Sequence, residues 1–262
     1  MKISNFYSPN FSGKKRSNNS IKIIIIHYTG MQSERESLDR LTDPKSKVSS
    51  HYVINQKGKI FRLVNDNQIA WHAGKSCWGK YKNLNKNSIG IELVNKGHKF
   101  GYTNFKKKQL LSLIKISKSL IKKYKIKKRN IVGHSDIAPL RKIDPGEKFP
   151  WKRLANNGIG IWHSCKPSLL RKYRNIKILK KKNKIKFIKN INKIGYCFSI
   201  KKTDKAKFIR NLNKIGYCFQ NKKKSFFVKN LRAFQRHYRK ELINGIIDKE
   251  CLIIAENLSK KL

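Results

Sequence analysis

Two histidines, His27 and His134, each stand directly after a β-branched run, and Asp144 follows the second in GHSDIAPLRKIDPGEKFPW. Two imidazoles and one carboxylate are the minimum set for a catalytic zinc whose fourth position stays open to water. The spacing is not the HExxH of a single helix, so separate strands and a loop must bring the three together. The chain holds 7 histidines, and on the residues alone a packed or surface role for either one stays open. Glu92 is the one acid in the apolar run Ile89 to Val94. A carboxylate among buried apolar neighbours is costly, so it must be paired, lie near a metal or take part in chemistry. A solvated face or an ion pair with a lysine is the competing reading. Lys142 stands two residues before Asp144, so in an extended segment both project to one face, where an ammonium can meet an oxyanion.

The elements that must position these groups can be read from the spacing of apolar residues. Lys22 to His27 is β-branched and runs into Tyr28-Thr29-Gly30. It predicts a buried strand delivering His27 at its carboxyl end, where ligands gather in α/β sheets. Ser50 to Ile54 and Lys59 to Val64 flank Asn55 to Gly58 and predict a hairpin. Ser88 to Val94 predicts a second buried strand, and Ile131-Val132-Gly133 a short one presenting His134. Gln109 to Tyr124 predicts a helix, with Leu110, Leu113, Ile114, Leu120 and Ile121 at helical spacing and lysines between them. Strands mixed with a helix of this length imply an α/β domain with a mixed central sheet flanked by helices.

Composition sets the outer bounds. The chain has 262 residues with 63 Lys and Arg against 14 Asp and Glu, a formal charge of +49. An apolar share of 39%, with 10% aromatic residues, is too rich for wholesale disorder. No apolar run approaches the roughly 18 residues of a transmembrane segment. Such a coat suits nucleic acid, anionic lipid or an acidic polymer. The excess is mostly lysine scattered among Ile and Asn rather than interleaved with stacking aromatics. Compositional drift is therefore the preferred reading, and no specific nucleic-acid partner is expected. The amino terminus shows no apolar segment of the roughly 7 to 15 residues that a secretory signal needs, and no cysteine for a lipid anchor. The cysteines Cys77, Cys165, Cys197, Cys218 and Cys251 are odd in number and form no CxxC pair. Neither a disulfide framework nor a cysteine zinc site is indicated, and a cytoplasmic location is expected, with non-classical export open.

Organisation changes near residue 164. Ser164 to Lys240 holds 26 Lys or Arg against a single acid, Asp204. The division expected is a catalytic domain at 1–163, a basic linker at 164–183 and a small all-α domain at 184–262. Within the last lies a short duplication, with Lys189 to Phe198 recurring as Arg210 to Phe219.

Five motifs then occur in a telling order: Ile26-His27-Tyr28-Thr29-Gly30, Ser50-His51-Tyr52, Ala70-Trp71-His72-Ala73-Gly74, Ser88-Ile89-Gly90-Ile91-Glu92, and Gly133-His134-Ser135-Asp136 through Lys142-Ile143-Asp144-Pro145-Gly146. Over about residues 5 to 163 the chain resembles the type 2 N-acetylmuramoyl-L-alanine amidases of the AmpD/AmiD-type branch. The resemblance implies Zn2+ as cofactor on His27, His134 and Asp144, Glu92 as the catalytic glutamate and Lys142 as the active-site lysine. It implies a peptidoglycan or muropeptide substrate, cut between N-acetylmuramic acid and L-alanine. Trp71, His72, His51 and Trp78 become candidates for shaping the cleft or binding substrate, with a packed structural role preferred for His51. His98, His163 and His237 read as surface or linker histidines. From about residue 184, Leu231 to Tyr238 and Asn244 to Asp248 resemble a peptidoglycan-binding type 1 domain, and a helical appendage that only stabilises the chain is the bland alternative. Two competing functions remain, a peptidoglycan-recognition module without turnover and a basic nucleic-acid binder.

Overall fold

In a computed structural model of the chain, residues 2–178, 180–197 and 222–262 are described. The second copy of the duplication, Arg210 to Phe219, lies outside the described residues. The fold is mixed α/β, as the strand and helix signals imply. Its sheet of six strands runs in the order Ile3–Asn5, Ile60–Arg62, Tyr52–Ile54, Ser88–Leu93, Ile23–Tyr28, Ile131–Gly133. Tyr52–Ile54 and Ile60–Arg62 form the antiparallel hairpin, and the other neighbours pair in parallel.

The isoleucine run is central because both faces of its strand are covered. Ile24 and Ile26 pack with Ile89, Ile91 and the helix Lys107–Tyr124. Ile23 and Ile25 pack on the opposite face with Val132 and with Phe187, Leu231 and Phe234 of the carboxyl-terminal helices. A strand buried on two sides needs apolar residues at every position, and burying each is worth about 1.5–3 kcal/mol. His27 has the parity of Ile23 and Ile25, so it points to the face that the carboxyl-terminal helices cover. Glu92 lies beside it in parallel register.

Those helices are Pro167–Tyr173, Lys181–Ile194, Lys222–Tyr238 and Lys249–Ser259. The first lies within the stretch expected to be a linker, and Leu170 and Ile178 are buried there, so that stretch carries a helix and packed side chains. Its lysines hid this by diluting the apolar signal. The helices also carry a buried charge cluster. Arg239 donates to Asp248 at 2.7 Å and to Glu250 at 3.4 Å, while Arg174 grips Glu250 with two nitrogens at 2.7 and 2.8 Å.

Two further expectations are corrected. Cys77 and Cys197 form a disulfide, joining the hairpin Cys77–Trp78/Tyr81–Lys82 to the end of the helix Lys181–Ile194. An odd count of cysteines cannot exclude a single bridge between distant residues. His237 is a core histidine and not a surface one, stacked on Trp151 at 3.8 Å between ring centres.

Candidate metal centre

His27 leaves the carboxyl end of its strand, His134 opens the short helix His134–Ile137 directly after the strand Ile131–Gly133, and Asp144 follows in a loop. The loop is tied back by the Ser135 amide, which donates to the Asp144 carbonyl at 2.8 Å. All three side chains are buried, and theirs is the metal-capable cluster found among the described residues. The Nδ1 atoms of His27 and His134 stand 3.0 Å apart, and each lies 3.1 Å from Asp144 Oδ2.

The hydrogen-bond partners of the outer ring nitrogens fix what those inner atoms are. The Ser88 hydroxyl donates to the Leu84 carbonyl at 2.6 Å, so its oxygen accepts from His72 Nε2 at 3.2 Å. His72 Nδ1 then carries a lone pair and accepts from His27 Nε2 at 3.1 Å. His134 Nε2 donates to the Ala73 carbonyl at 3.3 Å. Both inner Nδ1 atoms are therefore lone pairs in the neutral rings, facing a carboxylate oxygen. Three acceptors aimed at one another repel unless a cation lies among them. Ligands of a tetrahedral zinc stand about 3.3 Å apart, close to the separations here, so the donor set fits a metal in both geometry and chemistry.

Electrostatics agree. Burial and the facing His134 push the His27 imidazole down to about 4, against the pull of Asp144, so it is neutral at pH 7, the state in which an imidazole can hold a metal. Burial alone would raise the Asp144 carboxyl, but His134 and His27 outweigh it and hold the group well below the usual carboxylate range. Burial, helped by Asp144, pushes Glu92 up to about 8, with Lys142 acting in the opposite direction. Glu92 Oε1 lies 4.0 Å from His27 Nδ1, and its Oε2 is buried without a hydrogen-bond partner among the described residues. A buried polar atom left unsatisfied costs about 1–3 kcal/mol, and such an atom beside a metal-capable cluster is placed for a water or substrate. Lys142 is half-buried and close enough to bias both Glu92 and His27.

The remaining candidates divide. His72 backs His27 on the side away from the inner donors, so it orients a ligand and does not touch the centre directly. Gly90 makes room for it, since a Cβ there would stand 2.5 Å from the His72 ring. Gly90→Ala is expected to displace His72, release the His27 tautomer and weaken metal binding roughly 10- to 100-fold. Calorimetric titration of metal into the metal-free protein checks this, and unchanged affinity would detach His72 from the centre. Trp71 is half-buried at the head of the same segment. His51 is fully buried, accepting from the Gly90 amide at 3.0 Å and facing Arg16 at 2.7 Å, so it is structural and does not bind substrate. Trp78 is corrected in the same way. It is 1% exposed and packs edge-on against Tyr196 at 4.9 Å, so it offers no face to a sugar ring.

Sequence reasoning passed over Asn85, whose Oδ1 accepts from the amides of His72, Ala73 and Gly74 at 3.2, 2.7 and 3.3 Å. It also passed over Asp136, a buried acid two residues after His134. The signal Asp136 offered was an acid directly before the apolar pair Ile137-Ala138.

A mixed sheet that gathers two imidazoles, one carboxylate and a second carboxylate with one oxygen unpartnered among the described residues is the arrangement of a metal-dependent hydrolase. The particular family follows from comparison with known proteins. The chain belongs to the N-acetylmuramoyl-L-alanine amidase family, whose model matches residues 17–147. It is 44% identical over 154 residues to the N-acetylmuramoyl-L-alanine amidase AmiD of Escherichia coli K12, covering 54% of this chain and 55% of that one. The chain thus spans about half the length of that relative. It is 35% identical over 168 residues to the 1,6-anhydro-N-acetylmuramyl-L-alanine amidase AmpD of Haemophilus influenzae, covering 57% of this chain and 89% of that one. Among solved structures, E. coli AmiD in complex with anhydro-N-acetylmuramic acid-L-Ala-D-γ-Glu-L-Lys superposes with a TM-score of 0.73 at 32% identity, over 95% of this chain and 92% of that one. Pseudomonas aeruginosa AmpDh3 in complex with an anhydromuramic pentapeptide superposes at 0.74 and 28% identity, over 97% and 96%.

Proposed function

We propose that the protein is a zinc-dependent N-acetylmuramoyl-L-alanine amidase, hydrolysing the amide between N-acetylmuramic acid and L-alanine in peptidoglycan or muropeptides. The observation that carries this reading is the convergence of His27 Nδ1, His134 Nδ1 and Asp144 Oδ2 within about one contact distance, with the unpartnered Glu92 oxygen beside them. Held by those three side chains, zinc supplies a Lewis acid that acidifies water and polarises a carbonyl.

The chain's own residues do the rest. Glu92 takes a proton from the attacking water as the oxygen adds to the lactyl carbonyl carbon. As the carbon–nitrogen bond breaks, Glu92 returns that proton to the departing amine, leaving the free amine of L-alanine and a carboxylic acid that gives up its own proton to solvent. A carboxyl raised toward neutrality does both jobs better than an ordinary one, because it both accepts and releases a proton near the working pH. Lys142 offers its ammonium to the negative charge that develops on the carbonyl oxygen. His72, Ser88 and Ala73 keep both histidines in the neutral tautomer that binds metal.

The anhydro-muropeptide named as substrate of E. coli AmiD, and the anhydromuramic pentapeptide bound by AmpDh3, support soluble fragments as substrates of this chain. Trp71, half-buried at the head of the 71–74 segment, is assigned to substrate contact on its place in the family motif. The region from residue 184 is assigned to peptidoglycan binding on its resemblance to the type 1 module. The Cys77–Cys197 disulfide favours an oxidising compartment over the cytosol, since thiols stay reduced in the latter.

Purified protein incubated with soluble anhydro-muropeptides, and separately with insoluble sacculi, is expected to release stem peptides that mass spectrometry detects. A chelator should abolish that release, and added zinc should restore it. Absence of release from both substrates by a zinc-loaded protein would leave recognition without catalysis.

A further inference from the structure

We infer that the carboxyl-terminal helices hold the metal ligand His134 in place through a buried latch, in which His237 and Tyr196 clamp the carboxylate of Asp136. The inference rests on the reading of His27, His134 and Asp144 as a metal centre. It assigns those helices a positioning role at the centre, in addition to any wall contact.

Asp136 sits in the short helix that His134 opens, and it is 2% exposed. Its Oδ2 accepts from the Gly133 amide at 2.8 Å, which closes the turn around His134. The other two partners come from far along the chain. His237 Nδ1 lies 2.7 Å from Oδ2, and the Tyr196 hydroxyl lies 2.5 Å from Oδ1. A carboxylate can only accept, so both contacts are donated by the carboxyl-terminal region.

Neither donor is free to swing. The His237 ring is stacked on Trp151 at 3.8 Å with planes 14° apart, and Tyr196 is wedged edge-on against Trp78 and Phe234. Tyr196 is also chained to the hairpin near the site, because the next residue is the disulfide partner of Cys77. A third tie crosses the same boundary, with Lys229 Nζ donating to the Leu140 carbonyl at 3.0 Å, on the stretch between His134 and Lys142.

Without these donors the Asp136 carboxylate would be buried with one oxygen unpaired, and the turn would have to open to let water reach it. Opening that turn moves His134, which is one residue from Gly133 and two from Asp136. Ligand positions matter at the scale of about 0.5 Å. Partners that orient metal ligands from behind typically account for 10- to 100-fold in metal affinity.

The test uses the full-length protein and measures metal binding rather than turnover alone. His237→Phe keeps the stack on Trp151 and removes the donor, and Tyr196→Phe removes one hydroxyl. His237→Asn restores an N–H near the position of Nδ1. Leu258→Ala, in the same helical core, removes apolar packing without touching the bonds to Asp136 and serves as a stability control. Zinc affinity is measured by competition with a chromophoric chelator, and the cobalt-substituted proteins are compared by their visible spectra. His237→Phe is expected to lose roughly 10- to 100-fold in zinc affinity and to shift the cobalt bands. Tyr196→Phe, which strips Oδ1 of its one partner among the described residues, should lose at least as much, His237→Asn should recover most of the loss at Oδ2, and Leu258→Ala should melt earlier with affinity and bands unchanged. Wild-type affinity and bands in folded His237→Phe and Tyr196→Phe would overturn the latch alone. Failure of the wild-type chain to bind zinc at all would instead overturn the metal reading, and the latch with it.

Discussion

Glu92→Gln is expected to lower turnover of an anhydro-muropeptide by roughly 10² to 10⁴ while leaving zinc content unchanged. The amide keeps the size of the carboxyl and fits the same place on the Ser88–Leu93 strand, but it cannot accept a proton from water or return one to the amine. The side chain is not among the three converging donors, so the metal should remain, as stoichiometry by elemental analysis would show. The pH profile adds a second readout. A base works only when ionised, so the rate should rise with pH along an acidic limb set by Glu92, which burial and Asp144 raise above the ordinary carboxyl range. That limb should be absent from whatever activity Glu92→Gln retains. A variant that turns over like wild type with the same limb would remove Glu92 from the chemistry.

Much of this site could be read from the chain because its residues sit where local pattern is strongest. The isoleucine run could only be a buried strand, and the positions directly after it and after Ile131-Val132-Gly133 could only be strand ends. The apolar run around Glu92 likewise forced a choice between pairing and function. What could not be read was parity across the sheet. Ile23 and Ile25 are chemically the same as Ile24 and Ile26, so nothing local says which pair meets the helix Lys107–Tyr124 and which meets the carboxyl-terminal helices. The same gap led to the corrections at Trp78 and His237, whose partners lie more than a hundred residues away for Trp78 with Tyr196 and some eighty-six for His237 with Trp151. Lysine obscured the rest. In 164–183 it masks a helix and two buried apolar side chains, because a long basic side chain can lie over apolar surface while its charge stays in water. Pairing of Cys77 with Cys197 was also beyond local pattern, since spacing alone does not specify a bridge across 120 residues.

That bridge leads to the largest expected effect on stability. Linking residues 120 apart removes much of the freedom of the unfolded chain, and loop-closure entropy puts the contribution at about 5 kcal/mol. Cys77→Ser is therefore expected to lower the melting temperature by roughly 10–20 °C for a chain of this size. The loss should not be spread evenly. Cys77 follows the His72-Ala73-Gly74 segment that orients His27 and His134, and Cys197 follows Tyr196, so cutting the bridge loosens both sides of the metal centre at once. Thermal melts by circular dichroism, run with and without reductant, separate the bridge from the substitution. Reductant should bring the wild type down to the level of Cys77→Ser and leave the variant where it is. Equal melting of wild type and variant under oxidising conditions would mean that the bridge contributes nothing to stability. A reductant-sensitive melt would support the proposal that the folded, metal-binding form of this chain belongs where disulfides persist. It would also make the carboxyl-terminal helices, through Cys197 and Tyr196, part of what keeps the catalytic face of the sheet assembled.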